Sequence, residues 1–305
     1  MYFGFALSGS GVTEWLENVK QSIFSSMYNY FYEKCEKSFT SLFEALNVKV
    51  DWASTELSTS PEAWNADAFA LARTVAENAL MPIAGCIITF IFCWQLIHLM
   101  QESNRMQNIR ADNILMVLIG LGLCMLACSK SFQIVMGFFE IGAEATKSVL
   151  GSTVDKFGEG LSFNDVLPMV TSDYSFGDVM DTMVACLVLG LVKMLVYVIG
   201  GIIYVRINLW FVELLMYASA VSIPFSTFGN KEWSQIGMNY IRKMLAKSFE
   251  GFFMLLSFAM FGAVTAGIAG GNFYESIVMI LSAAFALCII LFKAGNISES
   301  IFNAH

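Results

Sequence analysis

Charge is what this sequence has least of. Asp, Glu, Lys and Arg make up 14 % of its 305 residues, where soluble domains carry about 25 %, and hydrophobic residues reach 57 %. With 17 Lys and Arg and 4 Pro set against 27 Phe and 18 Met, too little polar surface remains to cover a globule of this mass in water. The mean hydropathy of +0.64 agrees, and a soluble fold is excluded. Positive charge is scarcer still: the net charge is -8. That balance leaves no general basic field for sequence-independent binding to a nucleic acid backbone, so a DNA partner would need a local basic patch.

Histidine is nearly missing as well. His98 is the one internal copy and His305 the terminal residue, whereas a metal site needs three or four converging groups. Seven cysteines are present without a CxxC pair. Cys86, Cys93, Cys124, Cys128, Cys186 and Cys288 fall in apolar runs and are expected to pack between helices as small hydrophobes, and Cys35 alone lies in a polar stretch. No GxSxG, HExxH or P-loop occurs, and no paired nucleophile and base is evident, so neither an enzyme nor a bound cofactor is expected.

What the chain does have is long apolar runs. A hydrocarbon core about 30 Å thick needs roughly 20 apolar residues of helix. Runs of this kind lie at 79–100, 114–128, 179–225, 249–269 and 276–292. The third, about twice the length one crossing needs, either crosses twice or crosses once and projects, with Gly200-Gly201 as a candidate break. Loop charge sets orientation. Lys231, Arg242, Lys243 and Lys247 form the densest basic cluster and are placed in the cytoplasm, as are Arg105 and Arg110; Lys130, Lys147 and Lys156 are spread over an acidic stretch placed outside. Both basic loops stay inside if region 179–225 crosses once.

The expected fold is therefore all-α: a polytopic membrane helical bundle of about five spans, six being the alternative, with the N-terminus outside and the C-terminus inside. It divides into an outside N-terminal helical region (1–78), the first two spans (79–128), an outside central loop with an interfacial helix (129–178), a long apolar helical region (179–225), a cytoplasmic basic amphipathic loop (226–247), and the last two spans with a short tail (248–305).

Within the first region, Val12, Leu16, Val19, Ile23, Met27, Phe31, Cys35, Phe39, Leu42 and Leu46 recur at three- or four-residue steps, predicting a helix over 13–46 with one apolar stripe that needs a cover. Ser60-Pro61-Glu62 predicts a new helix start. GGNFYE, at 270–275, predicts a tight turn between the last two spans. Inside or near the bilayer, Lys193, Arg206, Glu213 and Glu250 are candidate channel or interhelical charges, since a charge in lipid must face a bundle interior, a wet path or the interface. Gly262, Ala266 and Gly270, with Gly267 beside them, form ladders that would let helices approach closely, within one subunit or between copies.

From Leu214 to Leu256 an apolar helix ends in MYASAVSIPFSTFGN, with Pro224 before Phe228; Trp233 then opens the basic amphipathic helix SQIGMNYIRKMLAKSFE, which runs into another span. This layout resembles the TrbL-like polytopic channel subunits of conjugative and type IV secretion machines. The resemblance implies a multi-copy subunit of a translocation channel in the bacterial cytoplasmic membrane. It also implies other machine subunits as partners, energy from separate ATPases, and DNA or protein as cargo. Membrane lipid is the default partner of the basic loop. A small-solute transporter is the rival reading, for which Lys193 and Gly200-Gly201 would supply the polar and broken-helix features.

Overall fold

A computed structural model describes residues 9–106, 111–153, 163–170, 174–230, 232–266 and 273–304. Among them every regular element is helical: α1 (Gly9–Leu57), α2 (Pro61–Trp64), α3 (Ala66–Thr74), a π-helical turn (Val75–Leu80), α4 (Met81–Met106), α5 (Ala111–Ser129), α6 (Ser131–Thr153), α7 (Phe163–Val166), α8 (Phe176–Ser219), α9 (Ser222–Phe225), a 3-10 turn (Ser226–Gly229), α10 (Ser234–Ala266) and α11 (Phe273–Ile301). Four stretches are long and apolar enough to cross a membrane: Ala66–Gln101, Phe176–Gly229, Ser234–Val264 and Phe273–Ile301. Ile114–Ser129 and Ser131–Val149 make a fifth if the pair, bent by 60°, is one broken span. The six-span alternative finds no sixth segment among the described residues.

Region 179–225 is one helix as far as Ser219, and Gly200-Gly201 does not break it. At 1.5 Å per residue its 44 residues measure about 66 Å, about twice what one crossing needs. Glycine in a helix costs about 1 kcal/mol against alanine, too little to end a helix whose neighbours are Val, Ile and Leu. At Gly200 a Cβ would lie 3.1 Å from Lys49 Cγ, while Gly201 has open space at that position. The new start at Ser60 is present but short. Ser60 caps α2, accepting from the Ala63 N–H at 3.3 Å, and Asn65 then caps α3 by accepting from Ala68 at 2.9 Å. The turn expected at 270–275 lies outside the described residues up to Phe273, where α11 begins.

These helices contribute to two compact units. The first comprises Met1–Val50, Asp155–Ile202 and Met260–Leu287. Its core lies where α1 meets the 163–170 segment and the first half of α8. Phe39 and Tyr32 hold Phe163 at ring distances of 5.5 and 5.1 Å, the Tyr32 hydroxyl donates to Leu167 O at 3.1 Å, and the Tyr28 hydroxyl accepts from the Val170 N–H at 2.9 Å. Helix α1 is longer than predicted, and its apolar line is only half covered. Cys35, Phe39, Leu42 and Leu46 are buried, but Val12, Leu16, Val19, Ile23 and Met27 are exposed, and Tyr28 and Tyr32 are buried in place of Met27 and Phe31. The residues chosen from the sequence step by about 3.8 on average, more than the 3.6 of a turn, so that line winds round the helix away from the packed face. Cys35 is fully buried despite its polar neighbours, with its thiol 3.5 Å from Thr182 O. Burial, reinforced by the nearby Cys186, pushes that thiol up to about 12.

The second unit comprises Asp51–Val154, Ile203–Ala259 and Cys288–His305. Trp64 stacks on Phe211 at 4.7 Å, Trp52 meets Tyr204 at 4.8 Å and Phe69 meets Phe132 at 5.5 Å. The stretch from Ser222 to Gly229 tucks between α4 and α5. Cys128 Sγ lies 3.4 Å from Ser222 O, Cys124 Sγ 3.5 Å from Ser226 O, and Gln95 donates to Gly229 O. Phe228 and Leu121 pack on the buried cluster Ala84, Ile88, Cys124 and Cys128. Gly142 on α6 meets α10 so closely that a Cβ there would fall 2.3 Å from Ser248 O. Cysteine placement is corrected in part: Cys124, Cys128 and Cys288 are buried as expected, whereas Cys86 and Cys93 are exposed on α4.

Large apolar side chains remain uncovered on most long helices, among them Met116 (75 % exposed) and Leu126 (65 %) on α5 and Leu191 and Met194 (66 % each) on α8. Such surface exceeds what a water-soluble monomer tolerates and suits hydrocarbon or further protein.

Candidate functional site

Two helix spacings build the site. Arg206 and Glu213 lie seven residues apart on α8, two turns along one face, and Lys247 and Glu250 lie three apart on α10, one turn along another. Where the faces meet, the four side chains form a chain of ion pairs. Glu250 accepts from Arg206 Nη2 and, at 2.7 Å, from Lys247 Nζ; Lys247 also donates to Glu213 Oε2. Burial falls along the chain, from Glu250 at 1 % side-chain exposure and Arg206 at 9 % to Lys247 at 14 % and Glu213 at 46 %.

The four charges sum to zero, which is the condition under which ions tolerate a low dielectric. Neighbours fix their geometry. Trp210 Nε1 donates to Lys247 O at 3.1 Å, tying α8 to α10 beside the ions, and Ser298 on α11 donates to Ala246 O at 2.5 Å. Phe292 on α11 stands 5.9 Å from the Arg206 guanidinium, within range of its ring face. Gly295 leaves room for the carboxylate: a Cβ there would sit 2.9 Å from Glu250 Oε1.

Beside the ions opens a cavity of about 600 Å³, lined by Arg206, Glu213, Lys243, Glu250, Asn296 and Glu299 with Met216, Tyr217, Ala220 and Phe292. Arg206 Nε is buried and has no hydrogen-bond partner among the described residues. A second cavity of about 640 Å³ lies where α4 and α5 meet Gly229, Asn230 and Glu232. It is lined by His98, Gln95, Asn230 and Glu232 with apolar residues, and His98 packs on Trp94 at 5.3 Å. Among the described residues no group of three or more His, Cys, Asp or Glu could hold a metal ion.

Of the candidate charges, Arg206, Glu213 and Glu250 come together. Lys193 does not: it is half-buried on α8 and has no ion pair among the described residues. The basic cluster divides. Lys247 turns into the ion chain rather than onto an open face, Arg242 and Lys243 are half-buried on α10, and Lys231 lies outside the described residues. Pro224 and Phe228 close on the start of α10, where Gly237 N donates to Thr227 Oγ1 at 3.2 Å and a Cβ on Gly237 would fall 2.8 Å from both Phe228 and Pro224 O. Trp233 faces Phe90 of α4 at 6.1 Å. Gly262 is buried in α10 and Ala266 ends it, while Gly267 and Gly270 lie outside the described residues.

Sequence reasoning set Lys247 close to Glu250 but counted it in the basic patch rather than among the interhelical charges, and it missed Asn296 and Glu299 as cavity residues and Gly142 and Gly295 as close-approach glycines. The three- and seven-residue spacings of the four charges were the available signal. Gly142 and Gly295 had none, because neither belongs to a ladder.

Comparison with curated proteins and with solved structures gives no match. Residues 46–222 match the family described as TrbL/VirB6 plasmid conjugal transfer like protein. The matched stretch runs from within α1 to the start of α9 and includes Arg206 and Glu213; Pro224, Phe228 and Trp233, which carry the resemblance in sequence, lie just beyond it. The match covers more than half of the chain, and this multi-pass, all-helical protein therefore belongs to the TrbL/VirB6 family of conjugal transfer membrane proteins.

Proposed function

We propose that this protein is a non-catalytic cytoplasmic-membrane subunit of a conjugation or type IV secretion channel, helping to form or scaffold the path by which DNA or protein leaves the cell. The family match over residues 46–222 carries the reading. The uncovered apolar faces of α5 and α8 support it, since a subunit that assembles in several copies or with other machine proteins needs such surface within the bilayer. The neutral, interlocked ion chain suits a scaffold that holds α8 and α10 in fixed register, with the energy for transport coming from separate ATPases. The N-terminus is outside and the C-terminus cytoplasmic in this reading, following the basic loops.

Conjugative transfer from a strain deleted for this gene tests the proposal. Transfer should fall to background and return when the intact gene is supplied in trans. Undiminished transfer in the deletion refutes a channel role, and uptake of a small solute by the purified protein in liposomes would favour a transporter instead.

A further inference from the structure

The cavity beside the ion chain is furnished for a ligand that the chain itself does not supply. Six charged side chains line it, three of each sign: Arg206, Lys243 and Lys247 against Glu213, Glu250 and Glu299. Four of these satisfy one another. Lys243 on α10 and Glu299 on α11 have no ion pair among the described residues, and the buried Arg206 Nε is a donor without an acceptor. A cation and an anion without partners thus face one space of about 600 Å³, within the usual range for small-molecule sites.

Position narrows the ligand. Glu299 and Asn296 lie in the last turns of α11, past its apolar run, and Lys243 precedes the apolar part of α10. The cavity therefore sits at the polar end of the spans, at headgroup level, while Met216, Phe292 and Ala220 offer an apolar side. A purely anionic ligand would leave Glu299 facing like charge, and a purely cationic one would do the same to Lys243. A zwitterion satisfies both.

We propose that this cavity binds the headgroup of phosphatidylethanolamine, its phosphate accepting from Lys243 and its ammonium donating to Glu299. The inference rests on the chain spanning a membrane and not on its cargo, so it stands or falls separately from a role in transfer.

Native mass spectrometry of the intact protein in detergent, loaded with equal amounts of phosphatidylethanolamine, phosphatidylcholine and phosphatidylglycerol, tests it. Phosphatidylethanolamine should be retained about tenfold over the other two, the scale of one charge-assisted hydrogen bond. Phosphatidylcholine has no N–H to give Glu299, and phosphatidylglycerol has no cation. Glu299→Gln should abolish the preference, and Lys243→Gln should lower retention of all three lipids, whose phosphate is common, without either variant lowering the melting temperature in lipid-free detergent, because neither residue is in an ion pair among the described residues. Lys193→Gln, which removes a cation outside the cavity, should leave the preference intact. Equal retention of the three lipids, a preference for phosphatidylglycerol, an unchanged preference in Glu299→Gln, or undiminished retention of all three lipids in Lys243→Gln overturns the proposal. Free phosphorylethanolamine that competes as well as the lipid overturns the lipid as its source.

Discussion

Glu250 is the residue whose loss the structure makes most costly. Its carboxylate is 1 % exposed and holds two cations, Arg206 and Lys247. In Glu250→Leu, Lys247 keeps Glu213 but Arg206 keeps nothing, so a guanidinium only 9 % exposed is left without a counter-charge. Breaking a buried pair from one side costs about 3–5 kcal/mol, and at roughly 2 °C per kcal/mol for a chain of this size the melting temperature should fall by about 6–10 °C. Arg206→Met is milder, about 1–3 kcal/mol, because Glu250 retains Lys247. The double variant replaces the pair with apolar side chains and should return to within about 1 kcal/mol of the parent, giving a coupling of at least ~3 kcal/mol between the sites. Unfolding of the purified protein in mixed micelles, followed by circular dichroism for all four proteins, measures the cycle. Additive effects, or single-variant losses below about 1 kcal/mol, would refute the view that these ions hold α8 and α10 in register.

Other outcomes can be checked alongside. Gly142→Ala places a methyl group against the Ser248 backbone carbonyl and should cost about 1–3 kcal/mol or more in the same unfolding assay, whereas Gly190→Ala, with open space at its Cβ, should be neutral or slightly stabilising. Cys35, its thiol raised to about 12, should resist iodoacetamide at pH 8 in the folded protein and react once it is unfolded. Because its folded pKa lies above the unfolded value of 9.0, its contribution to stability is complete at neutral pH and is lost as pH rises from about 9 toward 12, so the unfolding midpoint should be flat between pH 6 and 8 and fall at alkaline pH. An alkaline phosphatase fusion near Gly158 should be active, and activity of a cytoplasm-only reporter there would reverse the orientation inferred from the basic loops.

The spans were readable because lipid imposes a simple demand. A run of apolar residues long enough to satisfy its own backbone must be a helix, and α4, α8, α10 and α11 all follow from that. Orientation of faces was harder. On α1 the line through Val12 and Ile23 looks continuous with Cys35 and Leu46, yet only the later part packs, because a small error in step length accumulates over nine steps into a different side of the helix. On α8 the glycine pair looked like a break, yet the helix runs through it, with Gly200 against the Lys49 side chain and Gly201 beside open space. Lys247 looked like one more positive charge in a basic segment. Only the neighbouring helix makes it the central cation of a buried chain.

Composition and hydropathy by themselves determined that this protein is helical and lies in a membrane, since 57 % hydrophobic residues and few charges admit no other solvent. The resemblance in the order of its segments placed it in the family that the match then established. Tertiary structure decided which charges neutralise one another, where Lys243 and Glu299 face a shared cavity, and which glycines let backbones touch. Those facts depend on how α8, α10 and α11 rotate about their axes, and rotation is set by side chains on other helices, far away in sequence, that no local pattern records.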